Sequence, residues 1–251
     1  MPRPNHDSDT SAPMHGMFAT THWSVVVAAS GERESTSAAA ALARLCETYW
    51  YPLYAYVRRR GRDPHQAQDL TQEFFAQLLQ RANSLRADPL RGKFRFYLLG
   101  ALKHFLADAH DRATAQKRGS GQTMISIDER TAEERYQLEP VDTDDPEKLF
   151  ERRWALTLLD QAQSRLRSEY AASGKSQTHD QLEPFLSDAE SAKSYDEVAC
   201  KLGLSASATK SAIHRLRRRH RELVREEIAH TVTNANEVED EIRHLITVVA
   251  R

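Results

Sequence analysis

Apolar positions recur every three or four residues along most of the chain, which is the spacing of one face of an α-helix. This pattern predicts an amphipathic helix over residues 37–60 and a second one over 66–81. Asp63, Pro64 and Gln66 mark the start of the second helix as a cap, a first-turn proline and the far member of a capping box. The pattern therefore predicts an all-α protein.

The predicted helix 66–81 has one apolar and one polar face. Its apolar stripe contains Ala67, Leu70, Phe74 and Leu78. The opposite face carries amides and carboxylates, namely Gln68, Asp69, Gln72, Glu73 and Gln77. A face without a basic residue does not suit phosphate. It is therefore either ordinary solvent-exposed surface or a docking surface for another protein.

A third amphipathic segment starts near residue 94, with a core stripe of Leu98, Leu102, Phe105 and Ala109, widened by Leu99 and Leu106. The basic residues lie outside that stripe and are interleaved with aromatic ones: the basic residues are Lys93, Arg95, Lys103, His104 and Arg112, and the aromatic residues are Phe94, Phe96 and Tyr97. Cations for the backbone and rings that stack on unpaired bases are what single-stranded nucleic acid requires. We assign Phe96 to the core, and leave open whether Phe94 and Tyr97 are core or ligand-stacking rings.

Two short helices joined by a turn are predicted between residues 194 and 220. Ser194 and Glu197 form a capping box, Gly203 suits the reversal because it enters the left-handed region without a clash, and Ser205 caps the second helix. This is the form of a helix-turn-helix, whose second helix enters the major groove. An ordinary helical hairpin with a basic end is the alternative.

The second helix of this pair has short or polar residues where it would face base edges, and arginines follow them directly. The first set is Ser207, Thr209, Lys210, Ser211 and His214; the arginines are Arg215, Arg217, Arg218, Arg219 and Arg221.

Composition adds a segregation of charge. The chain has 251 residues, 40% of them hydrophobic, and a net charge of -1. This length allows one large or two small domains. Basic residues concentrate in 58–62, 103–118 and 215–225, whereas 128–151 and 226–241 are mostly acidic. The segregation fits basic DNA-binding faces that acidic segments screen, although solvated helix faces would give each cluster as well.

Several classes of protein find no support. Cys46 and Cys200 lie far apart among apolar neighbours, so we predict buried free thiols and a reducing cytoplasm. The eleven histidines show no metal-binding spacing, so no metal and no cofactor are predicted. No run approaches the roughly 18 apolar residues of a membrane span. The start, 1–20, lacks the order of a signal peptide and is expected to be disordered. No catalytic motif is present, so we expect no enzyme.

Three segments, in order, resemble motifs of the extracytoplasmic-function group of bacterial RNA polymerase sigma factors. DLTQEFF (69–75) is similar to the family's polymerase-docking helix, and FRFYLLGALKH (94–104) to its promoter-melting helix. YDEVA (195–199) through KSAIHRLRRR (210–219) resembles its domain for the upstream promoter element. His104 departs from the family's usual asparagine, and Thr209 stands where an apolar residue is usual.

The resemblance implies partners and site residues. The docking helix would bind the core of RNA polymerase with Asp69, Leu70, Gln72 and Glu73. The melting helix would hold the non-template strand of promoter DNA with Phe94, Arg95, Tyr97, Lys103, His104 and Arg112. The upstream element would be read by Ser207, Thr209, Lys210, Ser211, His214, Arg215, Arg217, Arg218 and Arg219. A regulator of the anti-sigma or kinase type is a further candidate partner.

The resulting layout is two small helical domains, 21–115 and 145–225, joined by a flexible acidic linker over 116–144. The segment 171–178 is predicted to be a loop between two helices. The tail, 226–251, has apolar positions for one or two amphipathic helices, either folded on the second domain or presented to a regulator. A helix-turn-helix regulator that binds duplex DNA unaided is the alternative function. A third possibility, a pure protein-interaction module, is disfavoured by the arginines.

Overall fold

The computed structural model describes residues 36–82, 93–115, 129–138, 145–186, 194–232 and 235–250. These residues form α-helices, short 3-10 helices and turns, with no strand among them. The predicted all-α fold class is therefore confirmed. The predicted disordered start and the remainder of the linker lie outside the described residues.

The first helix, α1 (Thr36–Arg59), is the centre of the N-terminal group. Every residue from 48 to 57 is buried, and a helix that is covered all round belongs to a protein core. The next helix, α2 (Pro64–Ala82), packs against α1 and starts as predicted. The backbone N–H of Gln66 donates to the Asp63 carboxylate at 2.9 Å, which caps its first turn. The third helix, α3 (Phe94–Ala115), packs against α2.

The predicted acidic linker contains a helix that its composition did not predict. This helix, α4 (Glu129–Gln137), lies against α1. Ala132 is buried there, and Glu133 accepts hydrogen bonds from Tyr54 and Arg58 of α1. The described part of the linker is thus ordered by contacts with the N-terminal group.

The longest helix, α5 (Pro146–Ala172), joins the two halves of the molecule. Its first turn is capped by the Asp145 carboxylate, which accepts from the N–H groups of Glu147 and Lys148. α5 packs against α1 and also against the later helices. Thr48 and Gln161 exchange side-chain hydrogen bonds between α1 and α5. The two predicted helical groups therefore share one hydrophobic cluster.

The C-terminal group consists of α6 (Ser176–Leu182), a 3-10 turn (Glu183–Leu186), α7 (Tyr195–Leu202) and α8 (Ala206–Ala229). Of the predicted loop 171–178, residues 173–175 form a tight turn, whereas the flanking residues belong to α5 and α6. The predicted caps of the helix pair are confirmed: the capping box of Ser194 and Glu197 forms, and Gly203 has a φ of 64°. The Ser205 hydroxyl accepts from the N–H of Ala208 at 3.2 Å. α8 continues four residues beyond the predicted Arg225 boundary, to Ala229.

The tail forms a short 3-10 turn (Ala235–Glu237) and a last helix, α9 (Val238–Val249). α9 packs against α5 and α8, so the tail is folded on the rest of the protein. Both cysteines are free thiols. Cys46 is half-buried, and burial raises its thiol pKa to about 11. Cys200 is exposed, so the prediction that it is buried was wrong.

Candidate nucleic-acid interface

The predicted docking face of α2 is only partly exposed. Asp69 is exposed, whereas Leu70, Gln72 and Glu73 are half-buried. Gln68, which we expected on the polar face, is 7% exposed and belongs to the buried side. The buried stripe is therefore wider than predicted and also contains Thr71 and Phe75. The Thr71 hydroxyl donates to the Ala67 carbonyl at 2.7 Å, which is how it is buried without an unsatisfied polar group.

Glu73 links the predicted docking face to α3. Its carboxylate accepts from Arg112 at 3.2 Å and from Gln77 at 3.0 Å. The Arg112 side chain is 55% exposed, so this ion pair adds little stability. Arg112 keeps most of its surface available to another anion.

The aromatic residues of α3 are arranged differently from the prediction. Phe94 is buried, with its ring edge-on to Tyr49 at 5.3 Å, and Tyr97 is half-buried. Phe96, which we assigned to the core, is 51% exposed. The assignment of Phe96 was therefore wrong. Phe94 lies four residues before Leu98, so it extends the core stripe by one helical turn.

A cleft opens between α2 and α3 beside these aromatics. Its walls are formed by Phe74, Gln77, Leu78, Tyr97, Ala101, His104, Phe105 and Asp108. The cleft has a volume of about 150 Å³, and a cavity of that size can hold a single six-membered aromatic ring. Tyr97 and His104 are thus brought together at one concave, partly apolar site.

Arg95 is not on an exposed face. Its side chain is 2% exposed and forms an ion pair with Glu241 of α9, and its guanidinium lies 4.7 Å from the centre of the Trp154 ring. The prediction that it lies outside the core is wrong, because α5 and α9 cover it. Lys103 and His104 are exposed as predicted, and Lys103 pairs with Glu147 at 2.6 Å.

The start of α8 presents a polar surface to solvent. Exposed residues there are Ser207, Lys210, Ser211, His214 and Arg215. Thr209 is completely buried, and its hydroxyl donates to the Ser205 carbonyl at 3.1 Å. This burial removes Thr209 from the surface we predicted to contact base edges. The departure from the usual apolar residue is accommodated by an internal hydrogen bond.

Two of the predicted phosphate-binding arginines have internal partners. Arg217 donates to the Phe185 carbonyl at 2.8 Å. Arg219 forms ion pairs with Glu169, Glu222 and Glu226. Arg218 is 68% exposed, and its ion pair with Glu222 is long, at 3.4 Å. The three neighbouring arginines are therefore not equivalent.

A shallow depression with basic walls lies on one side of α8. It is lined by Leu186, His214, Arg217, His220 and Arg221. Burial lowers the pKa of His220. The two arginines keep this depression positive, which suits a phosphate group.

One group of side chains in the described part of the chain has the chemistry of metal ligands. Donor atoms of His179, Asp180 and Glu183 lie within 4.8 Å of one another. The Glu183 carboxylate already accepts from Arg167 at 3.0 Å and from Gln163 at 2.5 Å. Its charge is thus engaged by an arginine on α5.

Sequence reasoning missed the acidic partners of the basic residues. Glu133 binds Arg58, and Glu241 binds Arg95 and Lys93. The segregation of charge predicted screening in general terms. The individual pairs join segments far apart in sequence, so local patterns could not identify them.

Among the described helices, none combines the length and the apolar character needed to cross a membrane. Residues 45–116 match the family model of sigma-70 region 2. This match covers most of α1, all of α2 and all of α3, and it supports a sigma-70 family member. Neither the curated proteins nor the solved structures gave a significant match.

Proposed function

We propose that this protein, whose region 2 match indicates an RNA polymerase sigma factor in general, is a sigma factor of the extracytoplasmic-function group. It would bind core polymerase through α2, hold the opened strand on α3 and read the upstream promoter element with α8. The observation that carries the proposal is the match of residues 45–116 to sigma-70 region 2. A non-enzymatic role in initiation follows from that family. A cytoplasmic location is part of this proposal.

The proposed domain layout follows the prediction, with 21–115 for polymerase and the downstream element and 145–225 for the upstream element. In the described structure the two groups are packed together through α5. We propose that this is the form of the protein without polymerase, and that the two groups separate when it assembles on a promoter.

Recognition of the upstream element would use the exposed part of α8 after the α7 turn. Lys210, His214 and Arg215 are exposed and suit base edges, since lysine and arginine donate to guanine. Arg218, which is largely exposed, and the basic depression beside it suit phosphates. Arg217 and Arg219 would contact DNA only after giving up their internal partners.

Strand capture would use the cleft between α2 and α3. Tyr97 and His104 form part of its wall, and Lys103 and Arg112 lie nearby on α3 with exposed charge. A ring that stacks on an unpaired base contributes about 1–3 kcal/mol. This contribution would offset part of the cost of unpairing the first promoter step.

The test of polymerase docking is Asp69→Lys in the full chain. Asp69 is exposed, so the variant should fold, but it reverses charge on the proposed docking face. We expect binding to purified core polymerase and run-off transcription to be lost while binding to upstream duplex DNA persists. Asp160→Lys, a charge reversal at an exposed position of α5, is the matched control and should behave as the parent.

Normal transcription with the Asp69→Lys variant would show that this face of α2 does not bind core polymerase. Binding to duplex promoter DNA without any effect of core polymerase would instead favour the alternative, a helix-turn-helix regulator that acts unaided.

The test of strand capture compares Tyr97→Ala with His110→Ala. Tyr97 lines the cleft, whereas His110 is exposed on α3 outside it. We expect Tyr97→Ala to bind polymerase and closed promoter normally but to open the duplex slowly, as measured by permanganate reactivity of thymines. A template that is already mismatched at the downstream element should restore its activity. If Tyr97→Ala opens duplex promoter as fast as the parent, its ring has no role in capture.

A further inference from the structure

The last helix, α9, buries a carboxylate within its apolar stripe. Val238, Glu241, Leu245 and Val248 lie on one helical face and are all buried. Glu241 is 1% exposed. A buried ionised carboxylate is strongly unfavourable unless a cation compensates it. The position of α9 therefore depends on which cations contact the Glu241 carboxylate.

Glu241 meets two cations at the start of α3. Its carboxylate forms ion pairs with Lys93 and Arg95. The Arg95 side chain is 2% exposed, and its guanidinium carbon lies 4.4 Å from the centre of the Phe96 ring and 4.7 Å from the centre of the Trp154 ring. Removing one partner of such a pair leaves a buried charge without compensation. Arg95 and Glu241 therefore hold α3 and α9 together.

The other polar ties of α9 to the rest of the protein are weaker. The His244 ring lies 6.2 Å from Trp154, and its Nε2 is 3.5 Å from a Glu151 oxygen. Glu239 pairs with Arg225, and both side chains are 54% exposed. A 12-residue helix is marginal in isolation. The attachment of α9 therefore rests on its buried apolar face and on the ion pairs of Glu241 with Lys93 and Arg95.

We infer that α9 is an intramolecular latch on the nucleic-acid surface of α3, and this inference rests on the proposed function. Glu241 occupies the cations, Lys93 and Arg95, that lie at the start of the proposed strand-binding helix. The carboxylate and a DNA phosphate cannot pair with these cations at the same time. Full strand binding by α3 therefore requires Glu241 to leave, because the phosphate backbone replaces it on Lys93 and Arg95 while an unpaired base enters the cleft between α2 and α3.

The first test breaks the latch with Glu241→Gln in the full chain. The matched control is Asp240→Asn, which removes the same charge at the neighbouring position. Asp240 is exposed, and its carboxylate forms an ion pair with Arg243 within α9. We expect amides of residues 238–249 to exchange about tenfold faster in Glu241→Gln, and a fluorescent single-stranded oligonucleotide to bind about tenfold tighter. Tenfold corresponds to about 1.4 kcal/mol. Asp240→Asn should match the parent in both measurements.

The second test closes the latch covalently and does not depend on the stability of Glu241→Gln. Glu151→Cys and His244→Cys, in a chain with Cys46→Ser and Cys200→Ser, place two thiols across the contact between α5 and α9. A short reducible thiol crosslinker should abolish oligonucleotide binding and run-off transcription. Reductant should restore both. The uncrosslinked quadruple variant is the control.

Failure of the latch and failure of the proposed function give different results. If the parent, Glu241→Gln and the crosslinked form all transcribe equally with core polymerase, the latch is refuted and the sigma-factor proposal stands. If Glu241→Gln loosens α9 but no form binds oligonucleotide or supports transcription, both proposals are refuted. If α9 exchanges at the parent rate in Glu241→Gln, the ion pair does not hold the helix.

Discussion

Replacing Glu133 by glutamine should release α4 from α1. The Glu133 carboxylate accepts from the Tyr54 hydroxyl at 2.6 Å and from the Arg58 guanidinium at 2.9 and 2.8 Å. Glutamine keeps one acceptor oxygen but loses the charge, and its amide group points a donor at Arg58. Cation–π contacts between α4 and α1 remain: the Arg58 guanidinium carbon lies 4.7 Å from the centre of the Tyr136 ring, and that of Arg135 lies 4.2 Å from the centre of the Tyr51 ring.

The magnitude follows from the burial of the pair. Hydrogen bonds to charged groups contribute about 1.5–3 kcal/mol each. The side chains of Arg58 and Glu133 are 17% and 20% exposed, so solvent screens them only in part. We expect the docking of α4 to weaken by about 2 kcal/mol, which is about thirtyfold in the docking equilibrium. A nine-residue helix does not persist alone, so undocking and unwinding should coincide.

Hydrogen exchange of the α4 amides is the assay, because α4 detaches locally. A measurement of global unfolding would report this local change only weakly. The matched control is Glu134→Gln, since Glu134 is the exposed neighbour and makes none of these contacts. We expect α4 to exchange about thirtyfold faster in Glu133→Gln and at the parent rate in Glu134→Gln. Equal exchange in the two variants would show that the carboxylate does not hold the linker helix.

Three further predictions concern stability. Trp154→Ala should lower the free energy of unfolding by about 3–5 kcal/mol in urea titrations, because Trp154 is fully buried at the junction of the two groups. Gly203→Ala should cost about 1–2 kcal/mol, since residue 203 has a φ of 64°, and Gly203→Asn should cost less in the same titration. Arg58 lowers the pKa of Glu133. The stability from this contact is therefore full above the ordinary carboxyl pKa and lost as the pH falls through the lowered one. Hydrogen-exchange protection of the α4 amides, measured at decreasing pH, should fall less on acidification in Glu133→Gln than in the parent.

Signals carried by adjacent residues were predicted well. The caps at Asp63, Ser194 and Ser205 and the turn at Gly203 depend on contacts within three or four residues, so the sequence contains the whole interaction. The same holds for the all-helical class, which follows from the period of the apolar positions. The helices of the proposed site were located for this reason.

The state of individual site residues was predicted less well. The apolar pattern could have identified Phe94 as a core residue, because it lies four residues before Leu98. The burial of Arg95 could not be predicted in this way, because its partner Glu241 lies in the last helix and a charged residue is normally exposed. Thr209 can be buried because its hydroxyl donates to the Ser205 carbonyl. The apolar residue that is usual at this position in the family indicates such burial only indirectly. The acidic composition of residues 129–137 gave no indication of a helix, because α4 depends on contacts with α1.

The contact between α1 and α5 has a consequence for synthesis of the chain. Thr48 and Gln161, which bond across it, are 113 residues apart. Residues 48–57 of α1 are all buried, so α2 and α3 cannot cover this segment alone. While the ribosome is still making the intervening segment, the face that α5 later covers is exposed to solvent. The N-terminal group should therefore remain a chaperone client until α5 has left the exit tunnel, and nascent chains stalled before residue 146 should be bound by chaperones.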